Sequence, residues 1–123
     1  MKVQSKTIVV TGGGSGIGRE LTLHLLAKGA RVAAVDLNET TLQETSSLAG
    51  DRREGLSTHV LSVADQAAVA ALPEQVMARH GAVDGVINNA GIIQPFVRVK
   101  DLDLAAIERV LRVNLYGPIF MAK

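Results

Sequence analysis

Apolar residues in this chain fall in short continuous runs, separated by longer stretches in which they recur every three or four positions. The first run, Thr7-Ile8-Val9-Val10, is β-branched and unbroken. That is the signature of a strand buried on both faces. Similar runs follow at 31–35, at 56–60 in more polar form, and at 84–88 around Val86 and Ile87. Between them the period changes to that of a helix. Ile17, Leu21 and Leu25 share one face, Leu26 widens it, and Gly29 is placed to stop the helix. Asn38 can cap a second helix over 39–48, weakened by three threonines and two serines. Residues 50–55 read as a loop. Asp65 caps a third helix with Val69, Leu72 and Val76 as its inner stripe, and Gly81 ends it. Pro73 lies inside and either kinks that helix or splits it. Asp101 or Asp103 caps a last helix. Its apolar face is Leu104, Ile107 and Leu111, with Glu108 and Arg112 a favourable pair four apart. Gly117-Pro118 should interrupt or kink whatever continues.

Strands alternating with helices predict βαβ crossovers and a parallel sheet. The expected architecture is α/β, a Rossmann-type three-layer α/β/α arrangement with strand order 3-2-1-4. One mononucleotide-binding half is then complete and the second barely begun. Ile119-Phe120-Met121-Ala122-Lys123 ends in an apolar helical pattern without a cap. The chain therefore reads as the truncated N-terminal portion of a single dinucleotide-binding domain. An open edge on strand one or four, with apolar surface beside it, should drive self-association.

Composition narrows the function. The 123 residues carry a formal net charge of +1, which gives no electrostatic case for nucleic acid or a membrane surface. One Tyr, two Phe and no Trp offer no stacking platform for single strands. Without cysteine there is no disulfide and no thiol catalysis. No apolar run is long enough to span a bilayer and no signal core precedes the first strand, so a cytoplasmic protein is expected. His24, His59 and His80 are scattered and show no metal-ligand spacing.

The chemistry centres on Thr11-Gly12-Gly13-Gly14-Ser15-Gly16-Ile17-Gly18, set between the first strand and first helix. Strand, glycine turn and helix start cradle a phosphate through unpaired backbone N–H groups and the positive helix end. Arg19-Glu20 follows Gly18, where a mononucleotide P-loop needs lysine and a hydroxyl residue. Asp36 closes the second strand at the distance a dinucleotide site requires. A carboxylate there accepts both ribose hydroxyls and repels a 2′-phosphate, and Leu37 rather than a base follows it. This favours NAD over NADP. The bland alternative is that Asp36 merely starts a turn. Ser15 can touch the phosphate, cap the helix, or do both.

These residues resemble the N-terminal half of the classical short-chain dehydrogenase/reductase family. Its Thr-Gly-x-x-x-Gly-x-Gly loop is matched by Thr11 through Gly18, so Gly12, Gly14, Ser15, Gly16, Ile17 and Gly18 are implied cofactor contacts. Asp36, with Leu37 beside it, matches the NAD-selecting acid. Asn88-Asn89-Ala90-Gly91 matches the family's Asn-Asn-Ala-Gly motif, which places Asn89, Ala90 and Gly91 beside the cofactor. Where the family often has Asp-Val against the adenine, this chain has Ser62-Val63, which loses the charge-assisted contact. Asn114 fits the catalytic-helix asparagine of a water-mediated proton relay.

The resemblance implies hydride transfer between NAD(H) and a small alcohol or carbonyl substrate, in a protein that is a homo-oligomer when intact. Family members use a tyrosine as acid/base, a lysine four residues on that lowers its pKa, and a serine that polarises the substrate oxygen. The sole tyrosine, Tyr116, is followed four residues later by Phe120, so it reads as a packing residue. The chain as given lacks the catalytic Ser and the Tyr-x-x-x-Lys. A non-catalytic dinucleotide-binding or assembly fragment is the second functional class. The segment 92–96 is expected to give the pocket a partly apolar rim.

Overall fold

The computed structural model describes residues 2–93 and 96–123. Four strands form one parallel sheet in the order β3-β2-β1-β4. They are β1 (Thr7–Thr11), β2 (Arg31–Asp36), β3 (Leu56–Val60) and β4 (Gly85–Ile87). Thr7 to Thr11 pair in register with Arg31 to Val35, and Ile8 to Val10 with Gly85 to Ile87. β1 therefore has partners on both sides, so of the two strands expected to leave an open edge it is β4, not β1, that does. The edges are β3 and β4. The order itself requires this, since β2 and β4 flank β1.

Side chains alternate across the two inner strands. Ile8, Val10, Val32 and Ala34 face helices α1 (Gly16–Ala27) and α2 (Glu39–Ala49), with Leu26, Leu42 and Leu56 completing that core. Val9, Ala33 and Val35 face the other way, against Leu72 and Val76 of α3 (Gln66–His80) and Met121 of α5 (Gly117–Ala122). This is the expected three-layer α/β/α arrangement.

The predicted caps form. Asn38, Asp65 and Asp103 accept from the N–H groups of Thr41, Ala68 and Ala106. Of the two candidates before α4 (Leu104–Leu111), Asp103 is the cap, and Asp101 belongs to a short 3₁₀ turn. The span 50–55 is likewise a 3₁₀ turn rather than an irregular loop. Pro73 is accommodated within a single helix.

Three details differ from the sequence pattern. The face of α1 turned to the sheet is Gly18, Thr22 and Leu26, whereas Ile17 is 74% exposed. Its helix backbone comes so close to the β1 turn that glycine and threonine, not the larger apolar residues, sit beneath it. The stripe of Leu104, Ile107 and Leu111 on α4 is exposed among the described residues. Glu108 and Arg112 form no ion pair; among the described residues the ion pair is Arg19–Glu44, at 3.0 Å. Arg112 opens a turn of π-helix over Arg112–Tyr116, which changes the spacing on which that pair depends.

Ser57 and His59 share the α3 side of β3, where the Ser57 hydroxyl lies 2.8 Å from Nε2 of both His59 and His80. The histidines that look scattered in sequence therefore meet. Burial pushes both imidazoles below their ordinary value, and the positive charges of Arg79 and Arg31 push His80 the same way. Each ring thus takes a proton less readily in the fold than in the unfolded chain. Below about pH 6.5 the unfolded chain binds protons the fold refuses, so stability is full above that value and falls as pH drops toward the lowered values. Urea midpoints are expected to decline from pH 7.5 to pH 5.5, with a flatter profile in His80→Gln. Equal slopes for the two proteins would contradict this assignment.

Candidate cofactor site

The carboxyl ends of β1, β2 and β4 converge where the strand order reverses, and a cleft of about 400 Å³ opens there. Gly12, Ser15, Ile17, Asp36, Leu37, Ser62, Val63, Asn89, Ala90 and Gly91 all line it. Of the remaining sequence-selected positions, Gly14, Gly16 and Gly18 shape the turn without lining the cleft, and Asn114 sits behind its wall beside Val113.

The turn is built on close approaches. A Cβ on Gly18 would lie 2.0 Å from the Gly12 carbonyl oxygen and 2.6 Å from Asn89 Nδ2. One on Gly14 would lie 2.4 Å from Thr41 Oγ1 and 2.7 Å from Asp36 Oδ2. The first bond of α1 runs from Arg19 N to Ser15 O. The N–H groups of Gly16, Ile17 and Gly18 precede it and have no acceptor within the helix. Ser15 makes no side-chain capping bond, so of its two expected roles the capping one is not realised.

Asp36 is held rather than dangling. Its Oδ2 accepts from Gly14 N at 2.9 Å, and its Oδ1 from Leu37 N at 2.7 Å and, at 3.5 Å, from Asn38 N. Oδ2 keeps a lone pair for a further donor. Arg19 braces the same loop from behind, donating to the Gly14 and Thr41 carbonyls, to Thr45 Oγ1 and to Glu44. On the opposite wall, Thr11 Oγ1 accepts from Asn89 N and Ala90 N, both at 3.0 Å. Ser62 Oγ accepts from Ala64 N at 3.2 Å, which leaves its O–H to donate elsewhere.

The Asn114 side chain clasps the Ile92 backbone. Its Oδ1 accepts from Ile92 N at 2.8 Å and its Nδ2 donates to Ile92 O at 2.7 Å. The π turn around it has a local cause. Pro118 has no N–H for the Asn114 carbonyl and its ring would clash there, so the Gly117 N–H reaches back to Arg112 O instead. Tyr116 stacks on Phe120 with ring centroids 6.1 Å apart, a packing contact.

Sequence reasoning missed three lining residues, Val35, Leu61 and Val113. Each adjoins a selected position, but an apolar wall residue carries no signal that separates it from core. Of the expected rim 92–96, Ile92 lines the cleft, while Gln94 and Pro95 lie outside the described residues. No group of three or more metal-ligating side chains occurs among the described residues. No helix among them is long and apolar enough to cross a membrane.

Residues 6–123 match the family model described as short chain dehydrogenase. A short chain dehydrogenase/reductase of the fungus Macrophomina phaseolina, dpmpG, is 41% identical over 119 residues, covering 96% of this chain and 68% of the relative. The chain covers 19% to 48% of the next curated relatives. A 3-ketoacyl-(acyl-carrier-protein) reductase of Brucella melitensis, solved with NADH, superposes with a TM-score of 0.91 at 26% identity, over 98% of this chain and 48% of the other. A metagenomic short-chain oxidoreductase solved with NADP gives 0.89 at 26% identity, over 98% and 55%. The chain belongs to the short chain dehydrogenase family.

Proposed function

We propose that the cleft holds NAD(H), and that the whole protein moves a hydride between that cofactor and a hydroxyl or carbonyl carbon of a small molecule. The observation that carries this reading is the Asp36 carboxylate, fixed by the Gly14 N–H inside the cleft that the glycine turn and the Asn89-Ala90-Gly91 loop enclose. The related solved structures contain NADH in one case and NADP in another, which supports a nicotinamide dinucleotide. The choice of NAD rests on Asp36. The free lone pair on its Oδ2 suits an adenosine ribose hydroxyl, and its charge opposes a 2′-phosphate.

A bound nicotinamide dinucleotide would supply the hydride donor or acceptor. The protein's part is binding and orientation. The N–H groups at the start of α1 face where a pyrophosphate charge would rest. The Ser62 hydroxyl has its proton to offer an adenine nitrogen. Asn114 fixes Ile92 with its side chain, and its backbone carbonyl, which Pro118 deprives of its α-helical donor, is the atom it would offer to a proton relay.

Asp36→Ala tests the reading. A charge-assisted hydrogen bond would be lost, so NAD affinity should weaken by about ten- to a hundredfold while NADP affinity holds or improves. Titration of both cofactors by calorimetry reads this directly. Equal, unchanged affinities for both would remove Asp36 from the site and with it the case for NAD.

A further inference from the structure

The contact between β3 and α3 contains a hydrogen-bond chain whose direction can be worked out. Gln75 Oε1 can only accept, so His59 Nδ1, 3.3 Å away, carries the ring proton. Nε2 of a neutral His59 is then bare, and the proton of Ser57 Oγ points at it across 2.8 Å. With that proton committed, the second 2.8 Å contact of Oγ requires His80 Nε2–H to donate. Neutral His80 is left with a bare Nδ1, and Nδ1 is the buried side-chain atom without a partner among the described residues. The reverse direction would place an N–H at that spot with nothing to receive it, the costlier arrangement. Two independent constraints, Gln75 at one end and His80 at the other, give the same polarity.

Hydroxyl, imidazole base and a group that orients the base form the constellation of an activated nucleophile. We propose that Ser57 is an acylation site for activated carboxylic esters, with His59 as general base and Gln75 as the positioning residue. Ser57 Oγ attacks the ester carbonyl carbon and the bond to the leaving aryloxide breaks. The serine proton passes to His59 Nε2 and then to solvent, and the acyl group remains on Oγ. His80 Nε2–H holds the hydroxyl in line. Burial keeps His59 neutral near pH 7, the form that accepts a proton. The charged and titratable groups around the pair are Arg31 on β2, Arg79 on α3 and the imidazoles themselves. None of the four chain residues lines the cofactor cleft, and β3 is the sheet edge remote from β4. The site therefore neither needs nor tests cofactor binding.

The test is incubation of the chain with p-nitrophenyl acetate, followed by intact mass and peptide mapping, with aryloxide release monitored across pH. One acetyl group on Ser57 is expected, with a rate that rises with pH through the His59 titration. Ser57→Ala should abolish that adduct and His59→Gln should slow it by about a hundredfold or more. Gln75→Glu should keep the reaction and move its midpoint to higher pH, because a carboxylate beside Nδ1 favours the imidazolium. Circular dichroism confirms that each variant is folded. If Ser57→Ala does not fold, His59→Gln decides with the serine in place. An adduct on a lysine or on an imidazole, an unmodified protein, or a Gln75→Glu profile identical to the parent overturns the proposal.

Discussion

Gly18→Ala is expected to destabilise the chain by about 3 kcal/mol or more and to abolish cofactor binding. The added Cβ would lie 2.0 Å from the Gly12 carbonyl oxygen and 2.6 Å from its carbon. Those are main-chain atoms of the turn that enters α1, so relief requires the helix to lift from β1. Lifting it would also withdraw the N–H groups at the helix start from the cleft. Gly55→Ala is the control, because its Cβ would meet only ordinary contacts, Leu26 Cδ2 at 3.4 Å and Ala30 O at 3.7 Å. It should stay within about 0.5 kcal/mol of the parent. Urea unfolding of the two variants measures the contrast, and comparable losses would show that the α1–β1 approach is not what fixes Gly18.

Thr11→Val should cost roughly 2–4 kcal/mol although it keeps shape and strand propensity. Thr11 is 1% exposed, and its hydroxyl oxygen is the acceptor for both Asn89 N and Ala90 N. Valine fills the same space, leaves Ala90 N without an acceptor and leaves Asn89 N only the Ile87 carbonyl, at 3.1 Å. The loop those groups anchor forms one wall of the cleft, so cofactor affinity should fall together with stability. Thr11→Ser retains the oxygen and should recover most of both. A valine variant as stable as the serine variant would mean that water satisfies the loop.

Features that depend on neighbours in sequence were legible. The glycine turn, the caps at Asn38, Asp65 and Asp103, and the stops at Gly29 and Gly81 are local chemistry. The strand order follows from the crossovers they delimit. The inner face of α1 was not legible, because hydrophobic periodicity looks for large apolar residues. Where backbones nearly touch, the buried face is Gly18 and Thr22, and Ile17 turns outward. The period of α4 shows that Leu104, Ile107 and Leu111 share a face, but periodicity alone does not say whether anything covers it. In the cleft, polar and glycine positions announced themselves, while Val35, Leu61 and Val113 look like core until the strand ends are seen together. Ser57 and His59 are neighbours on one face of β3, but their meeting with His80 is tertiary, made by a crossover that returns α3 onto β3.

The central place of β1 sets a timetable for folding during synthesis. Its pairing with β2 closes through 24 residues of sequence, Thr7 with Arg31, and β2 then receives β3. Its other edge has to wait for Gly85 to Ile87, which leave the ribosome only after α3 has been made. Until then this strand, buried along its whole length in the finished sheet, offers an unpaired row of backbone groups to any passing chain. A nascent chain halted before residue 85 should thus be a preferred client of chaperones that bind extended apolar segments, and one halted after β4 has docked should be released.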